Sequence, residues 1–183
     1  MNIGFLGLGN LGLPVALATE SKGHNVFGYD ISEKTINNIK KRVIDYREIW
    51  VEDYLPKTNL EILGIDQLIK KSDIIFISMQ TPHHEQYEGV TIIQPERADF
   101  DYTYLKKGVK SLSDEIEKQK NDKVVIIIST VLPGTITRDI KPLLGKHTKL
   151  VYNPFFIAMG STMKDFLHPE FVLFGRDDDF ALN

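Results

Sequence analysis

Three glycines near the start of the chain, Gly7, Gly9 and Gly12, have the spacing of a loop that wraps around a phosphate group. In such a loop the first glycine permits a tight turn, and the second lets the backbone approach a pyrophosphate. The third lets the following helix pack closely against a strand. Asp30 lies about 18 residues beyond Gly12, where a carboxylate accepts hydrogen bonds from a ribose. The spacing alone is weak evidence, because glycines in this pattern also serve packing alone.

The elements around these glycines decide between the two interpretations. The apolar run 2–8 predicts a strand, 10–21 predicts a helix, and 25–30 predicts a second strand that ends in Asp30. The amino end of such a helix offers unpaired N–H groups to phosphates. The complete unit therefore predicts a dinucleotide site. Because the Asp30 carboxylate would repel a 2′-phosphate, NAD is expected as the cofactor and not NADP, and Lys34 is expected to be a surface residue.

Strands and helices alternate along the rest of the chain. Short apolar runs rich in Val, Ile and Phe are typical of parallel strands with both faces covered, and they occupy 73–79, 123–130, 149–153 and 171–175. Helices are predicted at 101–119 and 134–144, where apolar residues recur at helical spacing. The alternation predicts an α/β fold, with a doubly wound, mostly parallel sheet in one three-layer αβα domain over 1–183.

Two stretches have weaker patterns. Residues 42–64 show no clean period, and we expect an excursion with one short helix. Trp50, within it, is expected to be buried against the sheet, with a subunit contact as the alternative. Residues 82–98 predict a polar loop, and in it His83, His84 and Glu85 are expected to be solvated and to bind no metal, because adjacent side chains of an extended loop diverge. The aspartates of the 175–183 tail predict a solvated surface.

Composition excludes several classes of function. The chain has 183 residues, a net charge of -3 and no cysteine. Disulfides, thiolate metal sites and cysteine nucleophiles are therefore excluded within these residues, and no basic stripe suggests a nucleic acid as partner. No apolar run approaches the roughly 20 residues of a membrane span. The chain begins without a basic signal-like region, so we expect a cytoplasmic location.

A second informative stretch, "ISTVLPGTITRDI", covers 128–140, where a strand ends at Thr130 and Pro133-Gly134-Thr135 begins a helix. Together with the glycine loop and "YNPFFIAMGSTMKDFLHPEFVLFG" at 152–175, it resembles the NAD-binding domain of the UDP-glucose/GDP-mannose dehydrogenase family. The resemblance extends over essentially the whole chain. It runs through Gly7-Leu8-Gly9-Asn10-Leu11-Gly12-Leu13-Pro14, Tyr29-Asp30, Thr81-Pro82, Ser129-Thr130-Val131, Pro133-Gly134-Thr135, Asn153-Pro154, Gly160, Asp165, Pro169 and Gly175. A hydroxyacid dehydrogenase of the 6-phosphogluconate type would share the glycines, but the later motifs disfavour it.

The resemblance implies an activity and a set of partners. Members of this family oxidise an alcohol carbon of a nucleotide-linked sugar twice, to a carboxylate, with two NAD. The second oxidation passes through a cysteine-bound thioester, and the required cysteine, lysine and asparagine lie in later domains. We therefore expect this chain to be the N-terminal part of a longer one and to be incomplete for catalysis alone. A nucleotide sugar is the expected substrate, and a homodimer is the expected assembly.

The resemblance also assigns roles to residues. It implies that the cofactor contacts the turn and the walls of the site through Gly7, Gly9, Asn10, Leu11, Gly12, Asp30, Thr81, Pro82 and Thr130. Thr130 would also hold an active-site water, and Asn153, followed by Pro154, would open the loop that closes over the substrate. These two residues, Thr130 and Asn153, are the predicted catalytic residues.

Three charged positions of the family pattern are apolar here. Phe155 and Met159 stand where the family has glutamates, and Phe171 stands where it usually has an arginine. These changes suggest a different substrate, a single oxidation or a non-catalytic NAD-binding module. Asp165 or Glu170 is the alternative source of a carboxylate. Elsewhere, Tyr102 and Tyr104 are expected to serve packing and surface only.

Overall fold

Seven strands form one sheet in the computed structural model, which describes residues 1–87 and 96–176. They are β1 (Asn2–Leu6), β2 (Asn25–Tyr29), β3 (Glu61–Ile62), β4 (Ile74–Ile77), β5 (Lys123–Ile127), β6 (Thr148–Tyr152) and β7 (Gly175–Arg176). The order across the sheet is β3-β2-β1-β4-β5-β6-β7. All neighbours pair in parallel except β6 and β7, which are antiparallel. The predicted mostly parallel, doubly wound sheet is therefore confirmed.

Helices cover both faces of this sheet. They are α1 (Gly12–Ser21), α2 (Glu33–Lys40), α3 (Val51–Tyr54), α4 (Ile65–Lys71), α5 (Thr103–Gln119) and α6 (Thr162–Leu167). On one face, buried residues of α1, α2, α3 and α6 pack against inward side chains of the strands, such as Phe5 and Val26. On the other face, α4 and α5 pack against Ile75 and Ile77. The central strands β1, β4 and β5 are covered on both sides, and their sequences are apolar at almost every position.

Two predicted elements differ from the structure. Of the predicted strand 171–175, only Gly175 lies in a strand, where it pairs with Tyr152, and Phe171–Phe174 are more than half exposed. An apolar run of this kind predicts burial, but here it lies at the surface beyond the sheet. The predicted helix 134–144 is a π-helical turn, Ile136–Ile140, followed by a 3₁₀ turn, Lys141–Leu143. Pro142 in that turn has no N–H to continue an α-helix.

The weakly patterned segment contains more structure than its sequence predicts. The expected short helix is α3, and the edge strand β3 lies in the same segment. Helices α2 and α4 had no counterpart among the predictions. The polar loop is described up to a 3₁₀ turn at Glu85–Tyr87 and again from Glu96. Its middle, 88–95, and the aspartates of the tail within 177–183 lie outside the described residues.

No helix in the described part of the chain combines the length and the apolar character needed to cross a membrane.

The end of α5 offers a test of this backbone geometry. Lys120 closes the helix in the left-handed conformation, with a φ of 52°. We predict that Lys120→Gly stabilises the fold by about 1 kcal/mol, because glycine adopts this conformation without steric cost. Lys118→Gly, two residues earlier inside the helix, should instead destabilise it by about 1 kcal/mol. Urea unfolding of both variants checks the prediction, and equal destabilisation by the two changes would contradict it.

Candidate functional site

The cleft lies at the carboxyl ends of β1 and β4. The chain passes from β1 to β2 on one side, and β4 lies on the other side of β1, so the connections diverge at this point. In open α/β sheets such a divergence leaves a crevice at the carboxyl ends of the strands, where ligands bind. A cleft of about 840 Å³ occupies this position, and its lining includes Gly7, Gly9, Asn10, Leu11, Asp30, Thr81 and Thr130.

The three glycines of the turn meet different surroundings. Gly7 has a φ of 97°, and a Cβ there would lie 2.7 Å from the carbonyl oxygen of Ser78. A Cβ on Gly12 would lie 2.1 Å from the carbonyl oxygen of Gly7 and 2.3 Å from Ser78 Oγ. A Cβ on Gly9 would meet no atom within 4 Å. Gly7 and Gly12 are therefore required by the fold, whereas the space beside Gly9 is open to a ligand.

The amino end of α1 suits an anion. Its first residue is preceded by Leu11, whose side chain caps no backbone N–H, and its first turn carries no acidic residue. Gly9, Asn10 and Leu11 line the cleft directly before this end. The partial positive charge of the helix terminus therefore faces the cleft with no carboxylate in that turn to compete for it.

Asp30 connects the turn after β1 to the end of β2. Its Oδ2 accepts a hydrogen bond from the N–H of Leu8 at 2.7 Å, and its Oδ1 accepts one from the N–H of Ser32 at 2.8 Å. A carboxylate has about four acceptor sites, so each oxygen still has capacity for a sugar hydroxyl. The sequence predicted ribose binding alone. The contacts add a structural role, because the same carboxylate holds the glycine turn in place.

The opposite wall is formed by the segments after β4 and β5. Thr81 Oγ1 donates to the carbonyl oxygen of Thr130 at 2.6 Å, and both residues line the cleft. Pro82 is not part of the lining, and its carbonyl oxygen accepts from the N–H of Asp101 at 2.8 Å. Of the predicted cofactor contacts on this wall, the structure thus brings Thr81 and Thr130 to the cleft and leaves Pro82 behind it.

Asn153 lies away from this cleft. The residue is buried, and its Nδ2 donates to the carbonyl oxygen of Leu173 at 2.8 Å. Together with Pro154 it lines a separate hollow of about 50 Å³. The two predicted catalytic residues, Thr130 and Asn153, therefore do not line one common cavity within the described residues.

Tyr102 has a role that its sequence position did not predict. The residue is buried, and its hydroxyl donates to Asp99 Oδ1 at 2.7 Å. The same oxygen accepts from the N–H of Leu132 at 3.1 Å and from Thr135 Oγ1 at 3.2 Å. The Tyr102 hydroxyl thus uses its one donor hydrogen and both of its acceptor sites. Tyr102 fastens the loop that carries Thr130, and a tyrosine before a helix gives little sequence signal of such a role.

The electrostatics of this contact favour the ionised carboxylate. The hydroxyl of Tyr102, and after it the guanidinium of Arg138, lower the pKa of Asp99 below its ordinary value.

Tyr104, two residues on, is exposed and lines the cleft. Its predicted surface position is confirmed, but it also forms part of the site.

The histidine pair in the polar loop forms no cluster with other ligand types. Across 1–87 and 96–176, no group of three His, Cys, Asp or Glu side chains is placed to hold a metal ion. The ring of His83 lies near that of Phe100, with 6.4 Å between the centroids.

Comparison with known proteins decides the family. The model of the NAD binding domain of the UDP-glucose/GDP-mannose dehydrogenase family matches residues 1–182. The chain belongs to this family. NAD is therefore its cofactor, as the Asp30 argument predicted.

Relatives of known activity agree with this assignment. The UDP-glucose 6-dehydrogenase of Rickettsia typhi is 30% identical over 182 residues, which are 96% of this chain and 39% of the relative. The UDP-N-acetyl-D-mannosamine dehydrogenase of Methanocaldococcus jannaschii is 31% identical, with the same coverage of both chains. Among solved structures, a ternary complex of GDP-mannose dehydrogenase from Pseudomonas aeruginosa superposes with a TM-score of 0.84 at 25% identity, covering 97% of this chain and 41% of that one. The chain spans about two fifths of these dehydrogenases.

The residues that depart from the dehydrogenase family pattern lie in two places. Phe155 packs against Phe166, with 5.1 Å between the ring centroids, and contacts the core on the α1 face. Met159 is 63% exposed and lines the cleft. Asp165, the alternative carboxylate, accepts through Oδ2 from the N–H of Ala158 at 3.0 Å and from Ser161 Oγ at 2.8 Å. These bonds, the Ala158 one first, lower the pKa of Asp165, so the carboxylate is ionised and holds its own loop.

The contrast between two glycines of this family turn gives a prediction. Gly9→Ala should leave the free energy of unfolding within about 1 kcal/mol of the original, because its Cβ enters open space. The same Cβ should weaken NAD binding by about tenfold or more, because it occupies the approach to the backbone.

Gly12→Ala is the matched change. Alanine gains about 1 kcal/mol in helix propensity, but the contact with the Gly7 carbonyl should cost about 3 kcal/mol. Thermal unfolding and calorimetric titration with NAD separate the two effects. A Gly9→Ala variant that binds NAD as tightly as the original chain would contradict this division of roles.

Tyr102 gives a second prediction. Tyr102→Phe should destabilise the fold by about 1–2 kcal/mol, because it removes the oxygen that accepts from the Leu132 N–H and from the buried Thr135 hydroxyl. The folded-state pKa of Asp99 is below its ordinary value of 3.8, so the stabilisation by this carboxylate is present above that value and is lost as the pH falls through the lowered pKa. Stability measured from pH 5 downward should therefore fall more steeply in the original chain than in the variant. Tyr104→Phe, at an exposed hydroxyl of the same helix, is the control and should follow the original chain.

Proposed function

We propose that this chain serves as the NAD-binding domain of a nucleotide-sugar dehydrogenase, which oxidises a CH–OH group of the sugar with NAD. The observation that carries the proposal is the open space beside Gly9, between the uncapped amino end of α1 and the carboxylate of Asp30. This combination offers hydrogen-bond donors to a pyrophosphate and acceptors to a ribose in one cleft. Membership of the dehydrogenase family supports the reaction class.

The residues of the cleft fit the cofactor as follows. The backbone from Gly9 to Gly12 would bind the pyrophosphate, and Asp30 would bind the adenosine ribose. Thr81 and Thr130 would form the wall toward the reacting end. When bound, NAD accepts a hydride from the sugar carbon. Thr130 would hold a water with its exposed side chain, since its carbonyl oxygen is fixed by Thr81.

Asn153 has a more limited part in this proposal. Its amide donates to the Leu173 carbonyl oxygen, so it would act by holding the start of the substrate loop against the 171–174 segment. In this role Asn153 does not contact the reacting atoms directly.

Two finer parts of the proposal are a cytoplasmic location, which is tested by cell fractionation, and a homodimer, which is tested by light scattering.

One observation favours a second candidate, a non-catalytic NAD-binding module. The two positions where the family has glutamates carry apolar side chains, Phe155 and Met159, which have no group that could activate water, and Phe155 packs against the core. Hydride transfer to NAD with nucleotide sugars, measured on the protein as it occurs in the cell, separates the candidates. Bound NAD without any reduction across a panel of nucleotide sugars would favour the module.

The cofactor site is tested by the preference between NAD and NADP. Because Asp30 also holds the turn through Leu8, a substitution there perturbs binding of both cofactors through their shared pyrophosphate. The ratio of the two affinities removes this common effect. Asp30→Asn should lower the preference for NAD by about tenfold, because the negative charge that repels a 2′-phosphate is gone.

Asp53→Asn, at an exposed position of α3, is the matched control and should leave the ratio unchanged. Calorimetric titration with each cofactor gives both affinities. If the original chain binds neither cofactor, the proposed site is wrong. If Asp30→Asn weakens both equally, Asp30 holds the turn but does not select the cofactor.

A further inference from the structure

Glu48 is a buried carboxylate outside the glycine turn. It is 3% exposed and lies in the weakly patterned segment before α3. Its Oε2 accepts from the N–H of Gly160 at 3.1 Å, and its Oε1 accepts from the N–H of Met163 at 3.3 Å. The next residue adds a third bond, from the N–H of Ile49 to the carbonyl oxygen of Gly160 at 2.9 Å. The pair Glu48–Ile49 is thus joined to the start of α6.

A carboxylate at such a buried position needs compensation. Transfer of an ionised group out of water is costly unless hydrogen bonds replace its hydration. Here the replacement comes from the backbone N–H groups of Gly160, just before α6, and Met163, in its first turn. The residue that precedes α6, Ser161, makes no side-chain cap of its own. Glu48 supplies the missing cap from more than a hundred residues away in the chain.

The segment that contains Glu48 also contacts the other end of α6. Trp50 packs against the core, and its ring lies edge-on to that of His168, with 6.0 Å between the centroids. His168 directly follows the last residue of α6. Trp50 has a φ of 71°, a conformation that is costly for a bulky side chain. Trp50 lies between two buried residues, Glu48 and Val51, and their contacts hold the backbone of Trp50 in this conformation.

The loop held in this way forms part of the cleft. Gly160 turns the chain with a φ of 95°, and Met159, directly before it, lines the cofactor cleft. On the other side of the loop, Asp165 accepts from the N–H of Ala158. Two carboxylates from different elements, Glu48 and Asp165, therefore fix the backbone on both sides of Met159.

We propose that Glu48 is a positioning residue for the cofactor site, and that it sets the place of Met159 in the cleft wall. The inference rests on the proposed function, since the cleft is taken to hold NAD. Glu48 itself does not line the cleft and acts through the loop. Its loss should therefore change cofactor affinity and the surroundings of Met159 together.

The test uses Glu48→Gln with methyl-labelled methionine. The chain has four methionines, which give a simple spectrum. Met79 lines the same cleft from the segment after β4 and serves as an internal reference, and Met159 reports on the loop. In the variant without cofactor we expect the Met159 methyl resonance to move and that of Met79 to stay, because an amide NH₂ group cannot accept a backbone N–H. NAD affinity, measured by calorimetry, should fall about fivefold or more, as expected for the loss of a hydrogen bond to a charged group.

Glu52→Gln is the matched control, because it makes the same chemical change at an exposed position four residues on. It should leave the Met159 resonance and the NAD affinity unchanged. A Glu48→Gln variant with the Met159 resonance and NAD affinity of the original chain would overturn the inference, even where its melting temperature falls. General destabilisation would lower the melting temperature without a selective shift of Met159.

Two further outcomes keep this inference separate from the proposed function. If the original chain binds no NAD, the proposed function fails, and the Met159 resonance of Glu48→Gln still tests the positioning role. If Glu48→Gln does not fold, hydrogen exchange of the original chain decides. The N–H groups of Gly160 and Met163 should then be protected, and exchange as fast as in the exposed 171–174 segment would overturn the proposal.

Discussion

The close approach of the turn after β1 to the end of β4 is the constraint on which the rest of the site depends. Ser78 Oγ donates to the carbonyl oxygen of Gly7 at 2.7 Å, and Gly12 lies so close to both that no side chain fits there. Asp30 holds the same turn from the side of β2. Three strands therefore fix one short loop. Because its flanks are fixed, Gly9 can remain open to a ligand without loss of order in the backbone around it.

The loops after β5 and β6 are positioned by a different means. These loops extend beyond the sheet, and each is fastened by a buried polar side chain from another part of the chain. Tyr102 holds the first through Leu132 and Thr135, and Glu48 holds the second through Gly160 and Met163. In both cases a buried polar side chain satisfies backbone groups that would otherwise be unpaired. The glycine turn is thus ordered by close backbone packing together with hydrogen bonds to Ser78 and Asp30, whereas the opposite walls depend on hydrogen bonds to the buried side chains of Tyr102 and Glu48.

A feature was predictable from the sequence when the residues that determine it are close together in the chain, and it was missed when they are far apart. Gly7 and Gly12 were predictable because a turn between a strand and a helix itself requires the positive φ of Gly7 and the contact of Gly12 with the Gly7 carbonyl oxygen. Their contacts with Ser78 come from a different strand end and were not predictable from the spacing. The parallel strands were predictable because burial on both faces leaves an unbroken apolar run. The same rule was wrong for Phe171–Phe174, since an apolar run indicates a preference for burial and does not say what covers it. Glu48 and Tyr102 were missed because their partners are set by the tertiary fold, and an isolated glutamate or tyrosine gives no local pattern.

Phe155 and Met159, the apolar residues at the two glutamate positions, bear on which part of the family's two-step oxidation a site of this kind would support. Oxidation of an alcohol requires a bound cofactor that accepts the hydride and a base that accepts the hydroxyl proton. Hydrolysis of a thioester requires in addition a carboxylate that activates water. The described cleft has open space beside Gly9 and a fixed loop at Thr130, features that fit a bound cofactor. At the positions of the second requirement, Phe155 is occupied by core packing and Met159 offers no ionisable group, while Asp165 is engaged in holding its own loop. Met159 belongs to both sets of residues, because it lines the cofactor cleft and occupies one of the two glutamate positions. The departures from the family pattern therefore lie at the wall of the cofactor cleft, at Met159, and in a separate hollow outside it, at Phe155.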